Sequence, residues 1–336
     1  MSSEIVVATA ADENYVIPLA VTVRSLIDSL GPTTRVRLVT LDGGITPASR
    51  ERLVASWNDP RIELEWLTPD TDALAAAPVS GHVTAAAYLR LLLPTLLDGE
   101  RVIYLDSDML VRRDLTLLWE EPQGDALIQA VQDIAAPWMD AEIAADCYSE
   151  RLPLLAAARP IANYRELGIR PEAPYFNSGL MVVNLALWRE ERIAQRVLTC
   201  LQENAEHVLW WDQYALNVVL ADRWRQLDHR WNQGAHIYAY PTWRLSPVSK
   251  EAIGPLRRDP WIVHYCSPIK PWQDGCRHPF TAAFFETLDR TAWSSWRPEP
   301  APEVRLMIAK ERRRVFKRAL KQSLRSMVKG LWRKAG

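Results

Sequence analysis

The stretch Arg101–Trp119, RVIYLDSDMLVRRDLTLLW, constrains the chain more than any other. Val102, Ile103, Tyr104 and Leu105 make a short apolar, β-prone run of the length expected of a buried strand, and the run breaks into Asp106, Ser107 and Asp108. Two carboxylates two residues apart then stand at a strand's carboxyl end, where open α/β sheets place their ligand crevices. Hard oxygen donors there suit a divalent cation that carries a phosphorylated substrate. The triplet alone is weak, since an Asp-x-Asp is expected about once by chance in a chain of this length. Asp70-Thr71-Asp72 is such a chance pair: it follows Pro69, precedes an Ala-rich segment and reads as a solvated turn. Only the second pair ends a buried strand.

The rest of the chain supports a sheet around that strand. Ile5–Ala8 is a β-prone run followed by Asp12, Glu13, Asn14 and Tyr15 and then the amphipathic stretch Ile17–Leu30, a first βα unit of a nucleotide-binding sheet. Asp12, Asn14 and Tyr15 suit either a base and ribose or an ordinary helix cap at Asp12. No Gly-x-Gly-x-x-Gly or Walker A pattern is present, so neither a dinucleotide nor a P-loop nucleotide is supported. Val36–Leu41, Ile62–Leu67 and Ala126–Val131 are further strands, Thr46–Ser56 and Thr84–Leu97 are helices, and the alternation implies a mostly parallel sheet flanked by helices. Arg90 is the one strong cation on the apolar Thr84–Leu97 helix, and it calls for an anion, either a substrate or the acidic pair itself. Ala135–Gly168 is irregular and is expected to cover a cleft.

Three later segments carry polar groups next to buried runs. Asn177, Ser178 and Gly179 read as a turn before Leu180–Val183. Asp212 and Gln213 open an apolar helix, as an N-cap or as groups that hold sugar hydroxyls beside a cationic anomeric carbon. In WIVHYCSPIKPW a strand ends at His264, with Lys270 six residues on. Imidazole joins carboxylates around a metal such as Mn²⁺, and lysine neutralises a diphosphate as a point charge.

Charge divides the chain. Residues 303–334 hold 12 basic against 2 acidic side chains, a net of +10, and the remainder is 28 against 39, a net of −11. The basic segment follows Pro298, Pro300 and Pro302 and spaces Phe316, Leu320, Leu324, Met327 and Leu331 by three or four, with Trp332 near the end. That is the pattern of an interfacial helix on an anionic membrane. An apolar stripe and a terminal Trp have no use on a phosphate backbone, so nucleic acid is not the expected partner. Four scattered cysteines (Cys147, Cys200, Cys266, Cys276), no signal-peptide pattern at the start and no apolar run of about 18 residues lead to an expected cytoplasmic protein, peripheral on the inner face of the membrane. The expected organisation is a catalytic domain over 1–297, with a nucleotide-sugar half to about 133 and an acceptor half from about 134, followed by a Pro-linked tail over 298–336.

The ordered set AADENY, YLRL, YLDSD, YFNSGLMVVNL, WDQYALN and HYCSPIKPW resembles glycosyltransferase family 8 over approximately Ile5–Arg277. These are retaining transferases that include glycogenin and bacterial lipopolysaccharide galactosyl- and glucosyltransferases. The resemblance implies a GT-A fold, a UDP-hexose donor (galactose or glucose), a saccharide, glycolipid or glycoprotein acceptor, and Mn²⁺ with Mg²⁺ as the alternative. Carried over by position, Asp106, Asp108 and His264 would be metal ligands, with Asp108 and His264 the more direct and Asp106 facing the nucleotide half, where Ser107 adds to the donor site. Asp12, Asn14 and Tyr15 would hold uridine and Lys270 the diphosphate. Arg90, Asp133, Asn177, Asp212 and Gln213 would surround the sugar, with Asp212 or Gln213 shielding its β-face. Ser267 stands where the family pattern has glycine. Two alternatives compete. One is a haloacid-dehalogenase-like phosphatase, whose Asp-x-Asp normally continues with Gly and Thr where this chain has Met109 and Leu110. The other is a sugar-nucleotide-binding protein that has lost catalysis.

Overall fold

Buried apolar runs pair into two sheets in a computed structural model. The structure describes residues 4–74, 85–148, 159–267, 269–303, 305–307, 309–310, 312–314, 316–317 and 320. In chain order the strands are β1 (Glu4–Ala11), β2 (Arg35–Asp42), β3 (Ile62–Leu67), β4 (Arg101–Asp106), β5 (Met109–Val111), β6 (Ile128–Gln132), β7 (Phe176–Asn184), β8 (Trp224–Gln226), β9 (Gln233–Gly234) and β10 (Ile262–His264). The large sheet runs β3-β2-β1-β4-β7-β6-β8, and the small one β5-β10-β9. Only β7 opposes its neighbours in the large sheet, so the sheet is mostly parallel as expected.

The runs are nearly continuous in hydrophobicity because both faces of the sheet are covered. Ile5, Val7, Ile103, Leu105, Leu180 and Val182 pack on one side with helix Val16–Ser29 and with Phe284 and Leu288 of helix Thr281–Leu288. Ala8, Val102, Tyr104, Met181 and Val183 alternate with them toward Val197 and Leu201 of helix Ile193–Glu203 and Tyr214 of helix Trp211–Val219. The parallel strands β1 and β4 end in register, Ala10 opposite Asp106, and the site forms beyond that edge.

Three expectations need correction. The Thr84–Leu97 helix is a 3₁₀ helix over Ala85–Leu92 followed by a short α-helix over Leu93–Leu96, with Thr84 outside the described residues. Pro94 has no N–H for a carbonyl four residues back, so it opens a new helix rather than continuing one. Asn177–Gly179 is part of β7 and not a turn: the register against β6 shifts at Ala130/Val131, and side chains replace the lost ladder partners. Asp212 lies in the first turn of helix Trp211–Val219 and does not cap it; the cap position is Trp210.

Asp12 and the Asp70–Asp72 pair behave as read, and two further segments are described only in part. Asp12 caps the 3₁₀ turn Glu13–Tyr15 by accepting from Asn14 N at 2.9 Å. Asp70 and Asp72 are exposed in a turn, Asp70 accepting from Asp72 N. The segment 135–168 contains helix Ala141–Tyr148, and residues 149–158 lie outside the described set. Described residues from 302 to 320 are helical, with Leu306, Met307, Phe316 and Leu320 exposed; Leu324, Met327, Leu331 and Trp332 lie outside the described residues. No helix among the described residues is long and apolar enough to cross a membrane.

Candidate active site

The acidic pair is held by two hydroxyl side chains on the buried face of a helix. Thr22 of helix Val16–Ser29 accepts from Met109 N (3.0 Å) and bonds the carbonyls of Ser107 and Met109 (2.9 and 2.8 Å), and Ser25 Oγ accepts from Val111 N (2.9 Å). These bonds pin the turn between β4 and β5. The antiparallel pairing of β5 with β10 puts His264 opposite Met109, and Tyr265 N donates to Asp108 O at 3.0 Å. Two distant segments thus bring Asp106, Asp108 and His264 together, with one ligand atom of each within 4.8 Å of the others.

This cluster fits a divalent cation on its own chemistry. His264 Nε2 is 3.1 Å from Asp108 Oδ1 and 3.8 Å from Asp106 Oδ2, while its Nδ1 is 3.0 Å from Asn232 Oδ1, the outer-shell arrangement that orients a metal-binding imidazole. Gly179 keeps the space open: a Cβ there would lie 2.5 Å from His264 Cε1 and 2.7 Å from Asp106 Oδ2. Lys270 Nζ reaches Asp108 Oδ2 at 2.7 Å. Burial opposes every charge here, but the two cations hold the Asp108 carboxyl well below its usual range. Burial would lower the His264 pKa, yet the charge and hydrogen bond of Asp108 push it to about 9.

A second polar group stands on the other side of Arg90. This buried guanidinium donates to Asp106 Oδ1 (2.9 Å), Ser178 O (2.6 Å) and Ala87 O (2.9 Å), and its Nε lies 3.1 Å from Asp212 Oδ2. The anion that Arg90 calls for is thus supplied by the protein's own carboxylates. The Nε hydrogen points to Ala87, so Asp212 Oδ2 accepts no hydrogen bond despite its burial. Desolvation raises Asp212 to about 6, against the pull of Arg90. Trp211, just before it, has φ 42°, a left-handed conformation that bulky residues rarely hold. Such strain persists only where the surroundings impose it, and here Asn217 ties the helix to β7 by two bonds with Phe176 (2.8 and 2.9 Å). Gln213 donates to Asp133 Oδ2 (3.1 Å) and accepts from Ser178 N (3.0 Å), and Asn177 donates to the same Asp133 oxygen (3.0 Å).

One cavity of about 400 Å³ is lined by Asp12, Tyr15, Arg90, Asp106, Ser107, Asp108, Asp133, Asn177, Asp212, Gln213, His264 and Lys270. Of the candidate site residues read from the sequence, Asn14 alone is not in that lining; it is exposed and contributes its backbone N–H to Asp12. Asp106 turns one oxygen to Arg90 and hence toward Asp212, and does not face the nucleotide half alone. Ser267 Oγ donates to Ile269 O at 2.8 Å, so its hydroxyl shapes the loop leading to Lys270. Trp272 meets Tyr15 edge-on with centroids 5.9 Å apart and backs onto Phe284. Sequence reading missed Asn232, the role of Gly179 and the clamps Thr22 and Ser25. Only the clamps left a signal: hydroxyls three residues apart on a helix face that is otherwise apolar.

A cavity across the carboxyl ends of parallel strands, with an acidic pair and a histidine on its floor, is the arrangement of a GT-A glycosyltransferase. The galactosyltransferase LgtC, solved in complex with donor and acceptor sugar analogues, superposes with a TM-score of 0.69 at 26% identity over 88% of this chain and 98% of that one. The family model for glycosyl transferase family 8 matches residues 6–276, and the chain belongs to that family. General stress protein A of Bacillus subtilis is 29% identical over 86% of this chain and 94% of that protein. The lipopolysaccharide 1,3-galactosyltransferase of Salmonella typhimurium is 25% identical over 67% of this chain and 60% of that protein. Family membership removes the phosphatase alternative.

Proposed function

We propose that the protein is a retaining hexosyltransferase that moves galactose or glucose from a UDP-sugar to a saccharide hydroxyl of a glycan, glycolipid or glycoprotein. The carrying observation is that one cavity holds both the Asp106–Asp108–His264 cluster, with Lys270 beside it, and the Arg90–Asp212–Gln213–Asp133 group. Asp106, Asp108 and His264 would hold Mn²⁺ (or Mg²⁺), which supplies positive charge for the diphosphate leaving group. Lys270 is paired with Asp108, and exchanging that carboxylate for the diphosphate puts a buried ammonium where negative charge develops. Breaking the bond from the anomeric carbon leaves cationic character on the sugar. Asp212 and Gln213 stand ready to stabilise it from one face, and the orphaned Asp212 Oδ2 has a lone pair to offer. Tyr15 and Asp12 at the end of β1 serve the nucleotide. LgtC has also been solved with an active-site glutamine replaced by glutamate, and a glutamine, Gln213, lines the cavity of this chain as well.

The test is release of UDP from a panel of UDP-sugars with Mn²⁺. UDP-galactose or UDP-glucose is expected to be hydrolysed, with loss on chelation and in Asp106→Ala; full activity without metal would remove the metal from the scheme, and no release from any donor would remove the transferase reading.

Metal affinity carries a pH signature. Without a bound ion His264 keeps its proton up to about pH 9, and a ligand nitrogen must be bare, so ions compete with that proton below pH 9. Calorimetry is expected to find Mn²⁺ about tenfold weaker for each unit the pH falls below that value. Equal affinity at pH 6.5 and 7.5 would exclude His264 as a ligand.

The basic tail over 303–334 serves as a membrane-surface anchor, and the protein works at the cytoplasmic face. Net charge of +10 with exposed Leu306, Met307, Phe316 and Leu320 supports this. Flotation with anionic liposomes is expected to capture the full chain, to weaken with salt and to fail once residues beyond 302 are deleted; unchanged capture of the truncated protein would refute the anchor.

A further inference from the structure

Asn232 sits in the turn before β9, buried, and no catalytic role falls to it in the proposed chemistry. Its two amide atoms join both halves of the site. Asn232 Oδ1 is 3.0 Å from His264 Nδ1, and Asn232 Nδ2 is 2.9 Å from Asn177 Oδ1. Asn177 continues the line through Nδ2 to Asp133 Oδ2, which also receives Gln213 Nε2. The chain therefore runs His264–Asn232–Asn177–Asp133–Gln213 without a break.

The direction of every bond in it is forced. Gly179 N–H can only donate, and it donates to Asn177 at 3.0 Å, so the atom it meets is the amide oxygen. Asp133, as a carboxylate, only accepts, which independently puts the Asn177 NH₂ on the other side. The Asn232 group that faces the Asn177 oxygen must then be its NH₂, and its oxygen must face the imidazole. An acceptor at Nδ1 requires the proton there, which leaves Nε2 as the nitrogen turned to Asp106 and Asp108. A backbone amide two residues from Asn177 thus decides which nitrogen of His264 is available to an ion.

We infer that Asn232 is a positioning residue that fixes His264 with Nε2 toward the two carboxylates and, through Asn177, holds the Asp133–Gln213 pair, so that metal and sugar recognition share one scaffold. This rests on the metal reading of the site. The two roles separate by substitution. Asn232→Ala removes both bonds. Asn232→Asp keeps an acceptor for Nδ1–H and loses the donor to Asn177, whose oxygen then faces a carboxylate.

The experiment measures Mn²⁺ binding to the substrate-free protein by the loss of free-ion electron paramagnetic resonance signal, together with kcat and KM for donor hydrolysis. Asn232→Ala is expected to bind Mn²⁺ about 10–100-fold more weakly, the usual effect of removing an outer-shell partner. Asn232→Asp is expected to restore binding to within about threefold of wild type while kcat stays at least about tenfold down, because the Asn177–Asp133–Gln213 line is still broken. Wild-type affinity in Asn232→Ala would overturn the inference, and so would full kcat in Asn232→Asp. A measurement on the unaltered chain needs no variant to fold: with Mg²⁺ bound, long-range ¹H–¹⁵N spectra of histidine-labelled protein are expected to show the His264 proton on Nδ1, and a proton on Nε2 would overturn it. If wild-type protein binds no divalent ion, the metal reading itself fails, which is a different result from equal binding by wild type and variant.

Discussion

Asp108→Ala is expected to lower the rate of donor hydrolysis by at least about a thousandfold and to cost about 3–5 kcal/mol of folding stability. On the proposed metal reading, the rate effect follows from removing one of the three side chains that would hold the ion. The stability effect has a separate origin: Asp108 is 7% exposed and faces Lys270 at 2.7 Å and His264 at 3.1 Å, so its loss leaves two buried cations without their shared counter-charge. Because its folded pKa is lowered, the carboxylate's contribution is present above about pH 4 and is lost as the pH falls through the folded value. Asp108→Asn, which keeps the volume and one acceptor, separates the two effects. Thermal melts are expected to show a smaller loss than for alanine with a similar loss of rate; a stable Asp108→Ala protein would mean that the ion triad does not hold the site together.

Gly179→Ala is expected to be nearly as severe, although it adds a single methyl group. The new Cβ would stand 2.5 Å from His264 Cε1, 2.7 Å from Asp106 Oδ2 and 3.0 Å from Asn177 Oδ1, and none of the three groups is a free surface side chain. Displacing the imidazole by about 1 Å is expected to cost about a hundredfold in kcat, with about 1–3 kcal/mol of overpacking strain. Weakened Mn²⁺ binding and a reduced melting temperature check it together. Wild-type metal affinity would show that the cluster tolerates the methyl group and that the clearance has no function.

The central sheet was legible in the sequence because strands buried on both faces leave unbroken apolar runs, and Val102–Leu105 and Leu180–Val183 are of that kind. Asp106, Asp108 and His264 were legible because each stands at the end of such a run. The polar bulge at Asn177–Gly179 was not. Asn, Ser and Gly carry the same turn propensity whether their backbone groups are satisfied by water or, as in β7, by Gln213 and by Asn177 itself. Asn232 was hidden for a different reason. Its meaning lies in two hydrogen bonds to partners 55 and 32 residues away, and nothing in RWNQG marks it. The 3₁₀ character of Ala85–Leu92 was obscured by a helical apolar pattern that does not distinguish periods of 3.0 and 3.6 over eight residues.

Asp274 ties the start of the tail to the body, accepting from Ala301 N (2.9 Å) and from two nitrogens of Arg305 (2.8 and 2.9 Å). Asp274 lies four residues after Lys270, in the loop whose turn is closed by Gln273 on Lys270 N. Before the helix come Pro298 and Pro300, which keep the connecting segment extended. Asp274, 15% exposed, thus gathers a backbone N–H and a two-nitrogen guanidinium contact from the first turn of the tail helix, so the same short loop that carries Lys270 into the cleft also anchors the start of the basic segment.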